Sequence, residues 1–157
     1  MKHIWAPWRM EYIQTEKAEG CILCQKHGED SNAVNYILYR GDKNFVIMNK
    51  YPYNAGHLMV VPYRHIANLE ELTAEERHEH FDLVSQSTEV LKRVFSPDGF
   101  NLGINIGKAA GAGIEDHVHT HIVPRWQGDT NCMSVISDIR VVPEALAETY
   151  KKLKGQF

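Results

Sequence analysis

The segment HVHTHIVPRW, residues 117–126, sets three histidines two positions apart. In an extended chain, residues two apart share a face. His117, His119 and His121 therefore line one side, and Val118, Thr120 and Ile122 the other. Neighbouring imidazoles on that face start ~7 Å apart along the strand, so one ring can reach a ligand while the next reaches elsewhere. Each polar ring, if buried, needs its own hydrogen-bond partner, which makes a purely structural row costly. Two chemistries use such a row. Neutral imidazoles are common ligands of a catalytic metal. Alternatively, one ring is a covalent nucleophile: with an ordinary pKa of ~6.5 it has a free nitrogen at neutral pH. A backbone carbonyl accepting from the other ring nitrogen would fix the tautomer and aim the ring.

The stretch NIGKAAGAG, residues 105–113, lies just upstream. Glycines let backbone N–H groups approach phosphate oxygens and form an anion-binding nest. Such a loop alone is usually a hairpin connection. Feeding into the histidine row, it favours a nucleophile attacking a phosphate. Cys21-x-x-Cys24 is a second site signal. Structural zinc takes four Cys and His ligands. His27 is nearest in sequence, but His65 and His117 are better placed if their strands pair. The competing thioredoxin-like reading needs a strand-to-helix junction, and this knuckle precedes the first strand.

The elements that must position these groups are legible from pattern. Residues 36–40 and 44–49 read as strands joined by a Gly41-Asp42 turn, and GHLMVVP, residues 56–62, as a third. Thr73-x-x-Glu76 is a capping box with Thr73 as N-cap. Phe81, Val84, Leu91 and Phe95 follow at helical spacing, so one long amphipathic helix runs to about Val94. Pro97-Asp98-Gly99 turns the chain into a strand over 100–106, and 117–123 is another. Pro143 is expected to open a short C-terminal helix. His3, His78 and His80 are expected at the solvated surface, the last two on the polar side of the long helix. KHGEDSN, residues 26–32, reads as loop. The sum is an α+β domain with an antiparallel sheet of about five strands. It is a single domain over 1–157, with an aromatic arm over about 1–15 and the knuckle over about 21–27.

Bulk properties narrow the partners. A chain of 157 residues with 43% hydrophobic and 24% charged residues has the composition of a globular domain with a real core. Its net charge of -3 and lack of a basic run argue against binding nucleic acid polymers. No apolar stretch suits a secretory signal or a membrane span, so a soluble cytoplasmic protein is expected. The cysteines do not suggest a disulfide framework, and Cys132 is read as a buried apolar residue.

The sequence resembles the histidine triad family. FVIMNKYPYNAGHLMVVPYRHI (45–66), the capped helix and NIGKAAGAGIEDHVHTHIVPRW (105–126) carry the likeness, which covers almost the whole chain. WAPWRMEYI, the knuckle and PRWQGDTN are similar to the bacterial branch that includes diadenosine tetraphosphate phosphorylases. The resemblance implies that His119 is the nucleophile and forms a nucleotidylated phosphohistidine. It implies that His57 and His121 complete the histidine network and that Asn49 binds the ribose. Asn105, Gly111, Ala112 and Gly113 would bind phosphate. Where the family often has Ser or Thr, three residues before the first triad histidine, this chain has Ile114. Similarity to the distant hexose phosphate uridylyltransferases implies structural Zn2+ on Cys21, Cys24, His65 and His117. A homodimer is also implied. The expected activity is two-step nucleotidyl transfer on dinucleoside polyphosphates. The alternatives are a nucleotide-binding module with little turnover and a metal-dependent hydrolase with the triad as ligands.

Overall fold

The computed structural model describes residues 20–28, 32–129, 142 and 144–157. The N-terminal arm with Trp5 and Trp8, His3, Cys132 and Pro143 lie outside the described residues. Helix α1 (Ile22–Gly28) and the single turn α2 (Asn32–Asn35) lead into strands β1 (Ile37–Arg40), β2 (Asn44–Met48) and β3 (Leu58–Pro62). Helix α3 (Ala74–Phe95) follows, then β4 (Gly99–Ile104), β5 (Thr120–Arg125) and helix α4 (Leu146–Leu153). The strands form one antiparallel sheet in the order β1-β2-β3-β5-β4. This is the α+β architecture expected from the sequence.

β2 and β3 carry β-branched and long apolar residues at nearly every position, and all ten are buried. Continuous burial follows from cover on both faces of the sheet. Val46, Met48, Leu58, Val60 and Ile122 face α3 and α4, packing on Leu83, Val84, Leu91, Tyr150 and Leu153. Phe45, Ile47, Met59 and Val61 face the other way, against Leu23 of α1 and Ile37. Met59 pairs with His121 across β3 and β5, so the histidines emerge on the face away from the long helix.

The capping box forms: the Glu76 amide donates to Thr73 Oγ1 at 3.2 Å and the Thr73 amide to Glu76 Oε2 at 2.8 Å. Arg64 adds two bonds to the same carboxylate, which holds Glu76 down to about 2, Arg64 being the main cause. Ser96 ends the helix in a left-handed conformation. Gly56, at φ +74°, turns the chain into β3 where a Cβ would sit 3.2 Å from Leu91 and 3.3 Å from Pro124.

Several sequence expectations shift. The histidine strand starts at Thr120 rather than His117, because Thr120 is the first residue with ladder partners, Val60 in β3 and Ile104 in β4. β4 ends at Ile104, before the glycine-rich loop. The knuckle runs directly into α1, so residues 26–28 are helical rather than loop. The C-terminal helix starts at Leu146. Phe81 is 60% exposed and His80 is buried, the reverse of what apolar spacing suggested. Position 80 lies three and four residues before Leu83 and Val84, which puts it on the inward stripe.

Candidate functional site

His117 points its two ring nitrogens at different tasks. Its Nε2–H donates to the Pro62 carbonyl at 2.8 Å, which fixes the tautomer and leaves Nδ1 with a lone pair. That Nδ1 lies 3.3 Å from Cys21 Sγ, 3.4 Å from Cys24 Sγ and 3.4 Å from His65 Nδ1. Cys24 Sγ is also 3.4 Å from His65 Nδ1, and the four donor atoms all lie within 4.8 Å of one another. The edges of a tetrahedron with Zn–N near 2.0 Å and Zn–S near 2.3 Å are about 3.3–3.8 Å. The donor set and spacing therefore fit Zn2+. Pairing of β3 with β5 brings His65 and His117 to the α1 knuckle, whereas His27 packs on the rings of Phe45 and Tyr63. Among the described residues this is the one group of three or more His, Cys, Asp or Glu side chains with metal-binding spacing.

His119, 4% exposed, sits one residue before the first rung of β5. Its Nδ1–H donates to the His117 carbonyl at 2.8 Å, so the lone pair resides on Nε2. The main cause of its depressed pKa is burial. The ring is therefore neutral at physiological pH.

The tautomer of His121 follows from a chain of donors. The Tyr53 amide donates to His57 Nδ1 at 3.1 Å, so that nitrogen is an acceptor. Burial and the neighbouring imidazoles push His57 down to about 3, so it is neutral and its proton is on Nε2. His57 Nε2–H then donates to His121 Nδ1 at 3.0 Å. His121, held at about 4 chiefly by burial, keeps its proton on Nε2. The His119 and His121 rings stand 4.7 Å apart, nearly perpendicular. One neighbour thus offers a lone pair and the other an N–H.

Asn49 lies against this network. Its Oδ1 accepts from the Tyr51 amide at 2.9 Å and its Nδ2 stands 3.4 Å from His57 Nδ1. Asn105 follows Ile104, which is paired with Thr120, so the glycine-rich loop springs from the strand end that carries His119. The loop holds a single 3-10 turn, Lys108–Ala110, with Gly107 and Gly111 at φ +75° and +80°. The Gly111 amide donates to the Lys108 carbonyl at 3.0 Å. Gly111 and Gly113 are exposed and Ala112 is half-buried, while Ile114 packs on the core around Phe45. Trp126 is half-buried just past β5.

The sequence reading missed two participants. Tyr53 supplies the amide that sets the His57 tautomer, and its ring lies 4.6 Å from that of His57. Nothing in its residue type announces an amide contact. His80 was misplaced, although its helical phase could have revealed it.

An imidazole aimed in this way from an α+β sheet is the arrangement of a histidine triad protein. The chain belongs to that family, its residues 31–128 matching the HIT domain. It is 36% identical over 169 residues to an AP-4-A phosphorylase of Mycobacterium tuberculosis, covering 100% of this chain and 85% of that protein. A solved structure of a hypothetical histidine triad nucleotide-binding protein from Sulfolobus tokodaii strain7 matches with a TM-score of 0.68 and 30% identity, over 85% of this chain and 86% of that one. A Zn-bound histidine triad family protein from Mycobacterium smegmatis matches with a TM-score of 0.68 and 25% identity, over 87% and 91% of the two chains.

Proposed function

We propose that this chain transfers nucleotidyl groups through a covalent phosphohistidine at His119, acting on dinucleoside polyphosphates of the diadenosine tetraphosphate type. The observation that carries the reading is the bond from His119 Nδ1–H to the His117 carbonyl, which leaves Nε2 as a fixed lone pair. His119 Nε2 attacks the α-phosphorus and forms the P–N bond, while the P–O bond to the remaining polyphosphate breaks. His121 Nε2–H donates toward the departing or nonbridging oxygens. Inorganic phosphate or water then attacks the same phosphorus, breaking the P–N bond and freeing NDP or NMP. Covalent catalysis divides one difficult displacement into two easier ones. Asn49 would hold the ribose, and the loop from Asn105 through Gly111, Ala112 and Gly113 would hold phosphate oxygens by backbone N–H groups. The likeness to a phosphorylase supports the substrate class.

Cys21, Cys24, His65 and His117 would hold a structural Zn2+, a reading supported by their spacing and by the Zn-bound relative. The ion would supply a cross-link among α1, the segment after β3 and the histidine segment, and would stabilise both thiols as thiolates. The triad as catalytic metal ligands is disfavoured because its nitrogens diverge: His117 turns to the cysteines, His119 to a carbonyl, and His121 to His57. A homodimer is supported by β4, an edge strand among the described residues, with Leu102 and nearby Ile106 exposed. A reducing cytoplasmic setting suits the thiol ligands, and no described helix is long and apolar enough to cross a membrane.

The test is incubation with diadenosine tetraphosphate, with and without phosphate, for wild type and His119→Ala. ADP formed only when phosphate is present marks a phosphorylase, and AMP formed with water marks a hydrolase. His119→Ala is expected to bind nucleotide without turning it over. Wild-type turnover in that variant would remove the assignment.

A further inference from the structure

A second chain of polar groups runs through the core on the opposite face of β5. Amides of Asp42 and Lys43 donate to Glu79, the latter at 2.8 Å to Oε2, and Asn44 Nδ2 donates to the same oxygen at 2.8 Å. Asn44 Nδ2 also donates to the Glu76 carbonyl at 3.1 Å. With its amide nitrogen so committed, Asn44 presents Oδ1 as an acceptor, and His80 Nδ1–H donates to it at 2.9 Å. His80 is buried and held at about 4, mainly by burial, so it is neutral and its Nε2 carries a lone pair. The Thr120 hydroxyl must then donate to His80 Nε2, at 2.6 Å. Every direction in the chain is fixed from the β1-β2 turn to Thr120.

Thr120 is the last ladder rung shared with both β3 and β4; among the described residues the chain before it has no strand partner, its backbone being held by the Val118 amide, which donates to the Ile66 carbonyl at 2.7 Å. His119 and His121 flank it. A strand side chain anchored on one face sets the direction of its neighbours on the other, and a one-residue slip would turn both imidazoles into the core. We infer that Thr120 is a positioning residue for the reacting histidines, its hydroxyl clamped by His80 from the far side of the sheet where the strand begins. The inference rests on the nucleotidyl-transfer reading and adds to it a residue that never meets the substrate.

Thr120→Val keeps the shape and deletes the donor, whereas Thr120→Ser keeps the donor. Thr120→Val is expected to lower kcat with diadenosine tetraphosphate about 10- to 100-fold with KM within about threefold, because misplacement near 1 Å costs on that order. Thr120→Ser is expected to restore kcat to within about threefold of wild type. Trapped phosphohistidine should form more slowly in Thr120→Val by the same factor as kcat. Should Thr120→Val fail to fold, Thr120→Ala, with room for a water against His80, is measured in the same way. A Thr120→Val or Thr120→Ala enzyme with wild-type kcat, or equal losses in the Ser and Val variants, overturns the inference. Those outcomes are distinct from failure of the nucleotidyl-transfer reading itself, in which His119→Ala turns over normally or the wild type forms no phosphohistidine.

Discussion

Replacing His57 by leucine removes the donor that dictates which nitrogen of His121 carries a proton. The buried His121 Nδ1 then lacks the partner it meets at 3.0 Å, and a buried polar atom left unpaired costs about 1–3 kcal/mol. Losing the tautomer preference alone costs little rate, since two near-equal tautomers leave roughly half the molecules competent. Orientation matters more: an untethered ring drifting by ~1 Å loses about 10²-fold. His57→Leu should therefore lower kcat about 10- to 100-fold, with its unfolding free energy down by about 1–3 kcal/mol. His57→Gln is the informative companion, because its amide can donate to His121 Nδ1 and accept from Tyr53. It should recover most of the loss. Acid stability checks the same geometry. His57 stands at about 3 in the fold against ~6.5 unfolded, so the unfolded chain binds the extra proton between those values. The stability contributed by the neutral ring is whole above ~6.5 and is lost as pH falls toward 3, at up to about 1.4 kcal/mol per pH unit. Both variants should flatten that limb by up to one proton in urea unfolding measured from pH 7 to pH 4. If His57→Leu matches wild type in kcat, or if Leu and Gln are equally impaired, the donor chain is wrong.

Two further expectations concern the frame. Cys24→Ser should lower bound zinc, read by elemental analysis, and lower Tm; chelation of wild type should abolish activity only as fast as near-UV circular dichroism is lost, whereas an immediate loss would point to a catalytic metal. Gly56→Ala should destabilise by about 2–5 kcal/mol in urea unfolding, since it adds ~1–2 kcal/mol of left-handed strain to ~1–3 kcal/mol of overpacking against Leu91 and Pro124; a loss under about 0.5 kcal/mol would show that the turn relaxes freely.

The sheet and long helix were legible because apolar residues recur at the spacings those elements impose. β2 and β3 read as strands, and the Thr73–Glu76 box announced the helix start that the structure shows. Boundaries moved where pairing, which is not local, decides them: His117 and His119 look like strand residues, but among the described residues no neighbouring strand reaches them. The phase of α3 was misread for a related reason. Its inward stripe includes Glu76, His80 and Ser87, and a rule that counts only apolar residues passes over them. It then assigns Phe81 to the core, although that ring is 60% exposed.

The histidine row showed where chemistry could occur, while the division of labour came from groups distant in sequence. The Pro62 carbonyl commits His117 Nε2, and the Tyr53 amide commits His57 Nδ1. Backbone groups carry no residue signature, so neither contact could be read from the chain. Their effect is large because the imidazoles are neutral. A protonated ring would donate from both nitrogens and lose its lone pair, but burial lowers His57, His119 and His121. Each ring therefore keeps one donor and one acceptor. A single fixed neighbour then determines what the other nitrogen can do, and three similar side chains take up distinct tasks.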